Sequence, residues 1–472
     1  MVRFLPFRKG CLLALLCSWF WAESGHAEST ESAASPTALA DRVLALEAQL
    51  AALQASSQTA SDRASSQPLT DPSQTPSLAL VHRGPFALSL SGFVQVDATL
   101  YRQDSEDELD GSTGLPLNET RFVIRRARVR VRADSKYVGG LLELDGNTMQ
   151  GSQVRLMSAE LWAQWPAEIG QTPYLRGALG LMKIPFGREV LEQDVERLFL
   201  ERSHIVRALF PGEYDLGVRL HGGFRFLRYS LAAMNGAPLG DAAFSARDPN
   251  QSKDLIGKLS IDAAPASWLT LRAGASFVYG TGFSPGSLAS KDVLVFRDDN
   301  DDGQVQQSEI QVIRGRAAVP SQNFSRDALG LDAEISARIP ILGRLMVSGE
   351  LIWARNLDRS LYIADPVAVG RDLRELGYYV GVTQELSPYV RAGLRYDFYD
   401  PDADAQEQRG PDRVPLATSF SSLTTTLAGY YPGYGKLAIE YQHNRNALGR
   451  SAAGIPITLG RDVVLIRGQV RF

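Results

Sequence analysis

From Phe86 to Phe472 the apolar residues recur at every second position, in segments about ten residues long. Period two places alternate side chains on opposite faces of an extended chain, so each segment reads as a strand with one apolar and one polar face. Sixteen such segments can be marked: Leu88–Tyr101, Arg121–Ala133, Tyr137–Met149, Val154–Pro166, Pro173–Lys183, Asp215–Phe224, Arg225–Met234 and Lys253–Ala263 in the first half, then Trp268–Tyr279, Asp327–Pro340, Leu345–Asn356, Leu373–Leu386, Pro388–Tyr399, Thr418–Tyr430, Gly435–Asn446 and Arg461–Phe472. Tight turns such as Asp134–Lys136 and Ile341–Arg344 largely alternate with long polar loops such as Ile184–Tyr214 and Gly280–Arg326; the short Gln150–Gln153 breaks the rule. That asymmetry is expected of an all-β, transmembrane antiparallel β-barrel of about 16 strands, with short periplasmic turns and long extracellular loops. A soluble secreted β-protein that binds Ca²⁺ is the alternative, but nothing in it would keep loop lengths alternating.

The last strand supports the barrel. Val464, Ile466, Val470 and Phe472 share one face and Arg467, Gln469 and Arg471 the other. A terminal strand ending in Phe resembles the signal read by the outer-membrane barrel-assembly machinery.

Before Phe86 the chain is organised differently. A membrane-spanning helix needs about 20 apolar residues, and only the run from Cys11 to Ala22 approaches this. Arg3, Arg8 and Lys9 precede it and Gly25-His26-Ala27 follows, the pattern of a signal peptide over residues 1–27. Both cysteines leave with it, so the mature chain cannot use disulfides or thiolate metal sites. Leu39, Val43, Leu46, Leu50 and Leu53 are spaced as an a/d seam of about two heptads, a short helical coiled coil over 37–54 in the periplasm. The alternative is an amphipathic helix that docks on its own domain. Ser-, Gln- and Pro-rich residues 55–85 read as a flexible linker, and 86–472 as the barrel domain. A formal net charge of −4 gives no reason to expect a nucleic-acid partner.

Chemistry concentrates inside the predicted barrel. Arg126, Arg128, Arg130 and Arg132 lie on one face of their strand and Ala127, Val129, Val131 and Ala133 on the other. With the apolar face to lipid, the arginines face the lumen, where a row of cations favours permeating anions. They also read as wall braces, since Asp97, Glu143 and Asp145 fall on the same side. Arg130 and Arg132, beside the tight turn, have fewer carboxylates in reach and are the better candidates for unpaired cations. The third long loop carries Arg188, Arg197, Arg202 and Arg207 among Leu198, Phe199 and Phe210. So apolar a loop is expected to fold into the barrel and narrow it, or to pack on a neighbouring subunit.

Three stretches carry a family resemblance: Gly180-Leu181-Met182-Lys183-Ile184-Pro185-Phe186-Gly187, then Phe199-Leu200-Glu201-Arg202-Ser203, then Asp215-Leu216-Gly217-Val218. With Phe93-Val94-Gln95, Arg125-Arg126-Ala127-Arg128 and the terminal Phe472, the chain from about Phe86 onward resembles the phosphate-selective porin O and P family. The resemblance implies a homotrimer of sixteen-stranded barrels in the bacterial outer membrane, with Leu39–Leu53 as a trimer-forming zipper. It also places Lys183 and the Ile184–Tyr214 loop near the narrowest zone, and makes small anions such as phosphate the expected solutes. A general small-solute porin without phosphate specificity remains the second reading.

One motif stands apart. Asp298, Asn300, Asp302, Gln304 and Glu309 occupy positions 1, 3, 5, 7 and 12 of a Ca²⁺ loop, with Gly303 at the turn. A structural Ca²⁺ in an extracellular loop is expected, the alternative being an acidic solvated loop. No catalytic constellation is present: the five histidines are scattered and no nucleophile elbow or phosphate-cradling loop occurs, so an enzyme is not expected.

Overall fold

The computed structural model describes residues 78–83, 86–102, 120–149, 151–165, 172–296, 303–304, 306–307, 310–409, 411–448 and 458–472. The stretches expected to form a signal peptide and a coiled coil lie outside these residues.

Sixteen antiparallel strands close into a barrel. They are β2 (Phe86–Arg102), β3 (Arg121–Asp134), β4 (Val138–Asn147), β5 (Gln153–Trp165), β6 (Leu175–Lys183), β7 (Tyr214–Phe224), β8 (Leu227–Met234) and β9 (Asp254–Ala266), then β10 (Leu269–Ser284), β13 (Gln322–Ile339), β14 (Gly343–Arg355), β15 (Arg374–Ser387), β16 (Val390–Asp400), β19 (Phe420–Tyr431), β20 (Gly435–Asn446) and β21 (Leu459–Arg471). Each pairs with its neighbour in sequence, and β2 pairs with β21 from Phe93↔Arg471 to Arg102↔Asp462. The predicted strand set and fold class therefore match, because lipid outside and water inside enforce the period-two pattern in every strand.

Closure removes the sheet edges that hydrocarbon would leave unsatisfied. Phe472 completes it, its N–H donating to the Gly92 carbonyl at 3.0 Å while Gly92 donates back at 2.9 Å. The β2–β21 pairing starts at Phe93, so the edge of β2 from Phe86 to Leu90 is left over. Strand β1 (Leu78–Arg83) pairs with it, from Leu78↔Leu90 to Arg83↔Phe86. This corrects the linker boundary: residues 78–83 are strand, because the exposed backbone groups of β2 offer a template.

Outward positions are apolar, as with Val218, Leu259 and Leu394, and aromatics gather toward both rims. Tyr137, Trp165 and Trp268 are exposed at the short-turn end and Phe122, Tyr279 and Trp353 at the other, the two interfacial girdles of a membrane barrel. Two small hairpins stand in the long loops, β11 (Val293–Phe296) with β12 (Ile310–Ile313), and β17 (Gln406–Arg409) with β18 (Asp412–Pro415).

Candidate functional site

The third long loop, 184–213, lies inside the barrel. Its Gly187 N–H donates to Ser276 of β10 at 3.0 Å, and Arg188 pairs with Glu334 of β13 at 2.7 Å. On the other side of the lumen, Leu200 N–H reaches Glu440 of β20, Arg467 of β21 donates to the Leu200 carbonyl, and Gln95 of β2 donates to the Asp194 carbonyl. In closing order β10 and β13 sit about half a circumference from β2 and β21, so the loop crosses the interior. Its apolar residues drive this. Phe186, Val190, Ile205 and Leu209 are fully buried against Met182, Met234, Ile352 and Tyr399, and Phe186 stacks on Phe210 at 4.6 Å. Helix α1 (His204–Leu209) lies within the loop, with His204 paired to Asp397 of β16. A second short helix, α2 (Pro366–Val369), stands in a later loop.

Room for the loop is made by strand glycines. A Cβ on Gly330 would lie 2.7 Å from the Phe186 ring, one on Gly377 2.6 Å from Ile205, and one on Gly393 2.8 Å from Leu198. Sequence reasoning missed these positions. Their only signal is a glycine on the lumen face of an otherwise regular strand.

The structure gathers five of the nine anticipated cations around a carboxylate that sequence reasoning overlooked. Asp194 of the loop meets Arg128 at 2.8 Å, Arg126 and Arg202 at 3.3 Å, and also Arg197. Lys183 stands beside the cluster, donating to the carbonyls of Val190 and Glu192 and pairing with Glu213 at 3.5 Å; Arg202 pairs with Glu213 too. Burial alone would raise the Asp194 pKa, but Arg126, Arg128, Arg202 and Arg197 overcome it and hold the carboxyl well below the usual range. Arg128 also meets Glu143 and Asp145, as the brace reading expects, whereas Asp97 pairs with Arg467. A bulge in the β2–β3 pairing turns Arg125 inward as well, onto Glu201 at 2.8 Å. Arg126 and Arg128 are thus buried braces that tie the wall to the loop.

Arg130 and Arg132 are partly exposed, but the expectation that they lack carboxylate partners is corrected. Arg130 pairs with Glu143, and Arg132 with Asp134 at 2.6 Å while lying over the Trp162 ring. Asp134 stands two residues after Arg132 on the same face of β3, and register sets Arg130 directly opposite Glu143 of β4, so both partners are neighbours on the wall itself. Arg188 is paired with Glu334 and Glu192. Exposed Arg207 on α1 has no ion pair within 4 Å among the described residues.

Below the loop, toward the short turns, a cavity of about 230 Å³ opens in the wall of β3–β9. Seven cations line it, Arg130, Arg132, Arg176, Lys183, Arg219, Arg228 and Lys258, against two carboxylates, Glu143 and Glu160. Strand register generates this: Arg176↔His221, His221↔Ser230 and Ser230↔Lys258 form one row across β6, β7, β8 and β9. Some of the charge is answered nearby, since Lys258 meets Asp332 at 2.6 Å and Arg219 meets Glu160 at 3.4 Å. Arg228 donates to the carbonyls of Arg225 and Leu227 and has no carboxylate within 4 Å among the described residues.

Of the Ca²⁺ motif, Asp298, Asn300, Asp302 and Glu309 lie outside the described residues. Gln304 is exposed, and Gly303 has φ +73°, as a sharp turn requires. The β11–β12 hairpin brackets this stretch.

No protein-family profile matches the sequence, and no curated protein matches it either. Solved structures are similar to it at low identity. The outer-membrane channel DcaP of Acinetobacter baumannii has 13% identity and a TM-score of 0.48, over 83% of this chain and 99% of that one. OprB of Pseudomonas putida has 10% identity and a TM-score of 0.50, over 82% and 94%. The anion-selective porin of Comamonas acidovorans has 11% identity and a TM-score of 0.47, over 81% and 99%. The likeness to OprB shows a shared barrel fold.

Proposed function

We propose that this chain is a porin of the bacterial outer membrane through which small anions, phosphate among them, diffuse passively. The observation that carries the reading is the lumen cavity with seven cationic side chains and two carboxylates. Fixed positive charge in a confined aqueous passage lowers the energy of an anion and raises that of a cation. The wall cations act together with the loop, which crosses the lumen and confines permeating solutes to the space beside it.

The reading gives the Asp194 cluster a scaffolding part. Its arginines are buried among carboxylates, so they hold the loop in place, and the anion preference comes from the cavity wall, where seven cations, the partly exposed Arg130 and Arg132 among them, outnumber two carboxylates. Residues 37–54 serve as a periplasmic zipper for a homotrimer, and Ca²⁺ at Asp298, Asn300, Asp302, Gln304 and Glu309 stiffens an extracellular loop. Titration of full-length protein with Ca²⁺, in which Asp298→Ala abolishes the heat of binding, tests the latter.

The decisive measurement for conduction is the reversal potential of the purified protein in a planar bilayer under a KCl gradient. A chloride preference, reduced in Arg130→Ala/Arg132→Ala, is the expected result, with phosphate blocking the chloride current. A cation preference overturns the reading.

A further inference from the structure

The cavity beneath the loop differs from an evenly charged passage, because apolar side chains line it together with the cations. Trp162 Nε1, Arg219 Nε, His221 Nε2, Arg228 Nε and Ser230 Oγ all belong to residues that line it, and all are buried without a hydrogen-bond partner. Leaving such an atom unsatisfied forfeits its hydration with nothing in return, and native folds rarely concentrate several in one place. Trp162 is 5% exposed and wedged between the guanidinium groups of Arg132 and Arg176, at 5.1 and 5.3 Å from its ring. Its ring is therefore held in place, while Arg219 and Arg228 are anchored through their terminal nitrogens, on the Lys183 carbonyl and Glu160 and on the Arg225 and Leu227 carbonyls, which leaves each Nε to donate to a ligand. Leu141, Pro185, Leu191 and the ring of Tyr214 line the same cavity.

We infer that the cavity is a binding site for a small organic carboxylate, its anionic end held by Trp162, Arg219 and Arg228 and its apolar body against Leu141 and Leu191. Inorganic phosphate fits less well, because some of its four oxygens would meet the hydrocarbon of Leu141, Pro185 and Leu191 without hydrogen bonds. At about 230 Å³ the space admits a single-ring acid and is below the usual size of a drug-like pocket. The inference rests on the porin reading only for the route by which solute reaches the lumen.

Isothermal titration of the full-length protein in detergent with benzoate, acetate and inorganic phosphate, at one ionic strength, tests it. Benzoate is expected to bind at least about tenfold more tightly than acetate or phosphate. Trp162→Phe, which keeps an aromatic ring and removes the N–H, and Arg228→Gln each weaken benzoate by about tenfold. Retained heat-modifiable gel mobility certifies that each variant is folded. Absence of benzoate binding, acetate or phosphate binding as tightly, or benzoate affinity unchanged in both variants overturns the inference. Benzoate binding together with a cation-preferring reversal potential would sink the conduction reading and leave this one standing.

Discussion

At the scale of the residue, Asp194 decides what the arginines are for. Its side chain is 1% exposed and answers four guanidinium groups, two from the wall and two from the loop. Removing one partner of a buried ionic cluster leaves unbalanced charge in low dielectric, at a cost of about 3–5 kcal/mol. Asp194→Asn is therefore expected to lower the unfolding free energy of the barrel in a urea titration by that much and to raise single-channel conductance as the loop loosens. The pH dependence has a definite sign. A carboxyl whose folded pKa is depressed contributes stability above its unfolded value of about 3.9, and loses it only as pH falls through the folded value. Conductance should hold constant from pH 7 down to about 4, whereas an opening already at pH 5 to 6 would contradict the latch.

At the scale of the element, each strand must serve lipid on one face and the loop or water on the other. Val218, exposed on the outer face midway along β7, tests the first demand. Val218→Arg should cost about 2–4 kcal/mol in chemical unfolding from bilayers, whereas Arg at its inward neighbour 219 is native. Gly330 tests the second, for its Cβ would meet the Phe186 ring at 2.7 Å. Gly330→Leu should displace the loop, costing about 1–3 kcal/mol, and make the 184–213 segment sensitive to added protease while conductance rises. Unchanged conductance with intact protease resistance would show that the strand yields instead. The alternation of faces was legible in the linear pattern; the role of lumen glycines was not, because a missing side chain carries no sign of what fills its place.

At the scale of the whole molecule, closure is the organising event. One strand pair, β2 with β21, joins residues some 370 positions apart, and Phe472 seals it against Gly92 by two backbone bonds and by its ring. Such a long-range pairing forms late, since the loop-closure entropy is offset only once all neighbours are registered. Removing Phe472 should reduce the heat-modifiable, membrane-inserted fraction severalfold in an expression and fractionation assay, with little effect on the stability of molecules that do insert. Undiminished insertion would deny the terminal residue its part in closure.

By itself the sequence determined the strand count, the two faces of every strand and the long and short ends of the barrel. Those properties follow from a local rule, one side chain to lipid and the next to water, that is written into each ten-residue segment. It also placed the Arg126–Arg132 row on the lumen side and marked the third loop as too apolar for bulk water. What Arg126 and Arg128 meet in the loop was decided only in three dimensions. Arg126 and Arg128 find Asp194, 68 and 66 positions away, only because the loop folds back across the lumen. The cavity row Arg176–His221–Ser230–Lys258 exists only through the register of four strands. Partners of a charge are set by which segments become neighbours, and in a closed barrel that is fixed by register and closure, which no single segment encodes.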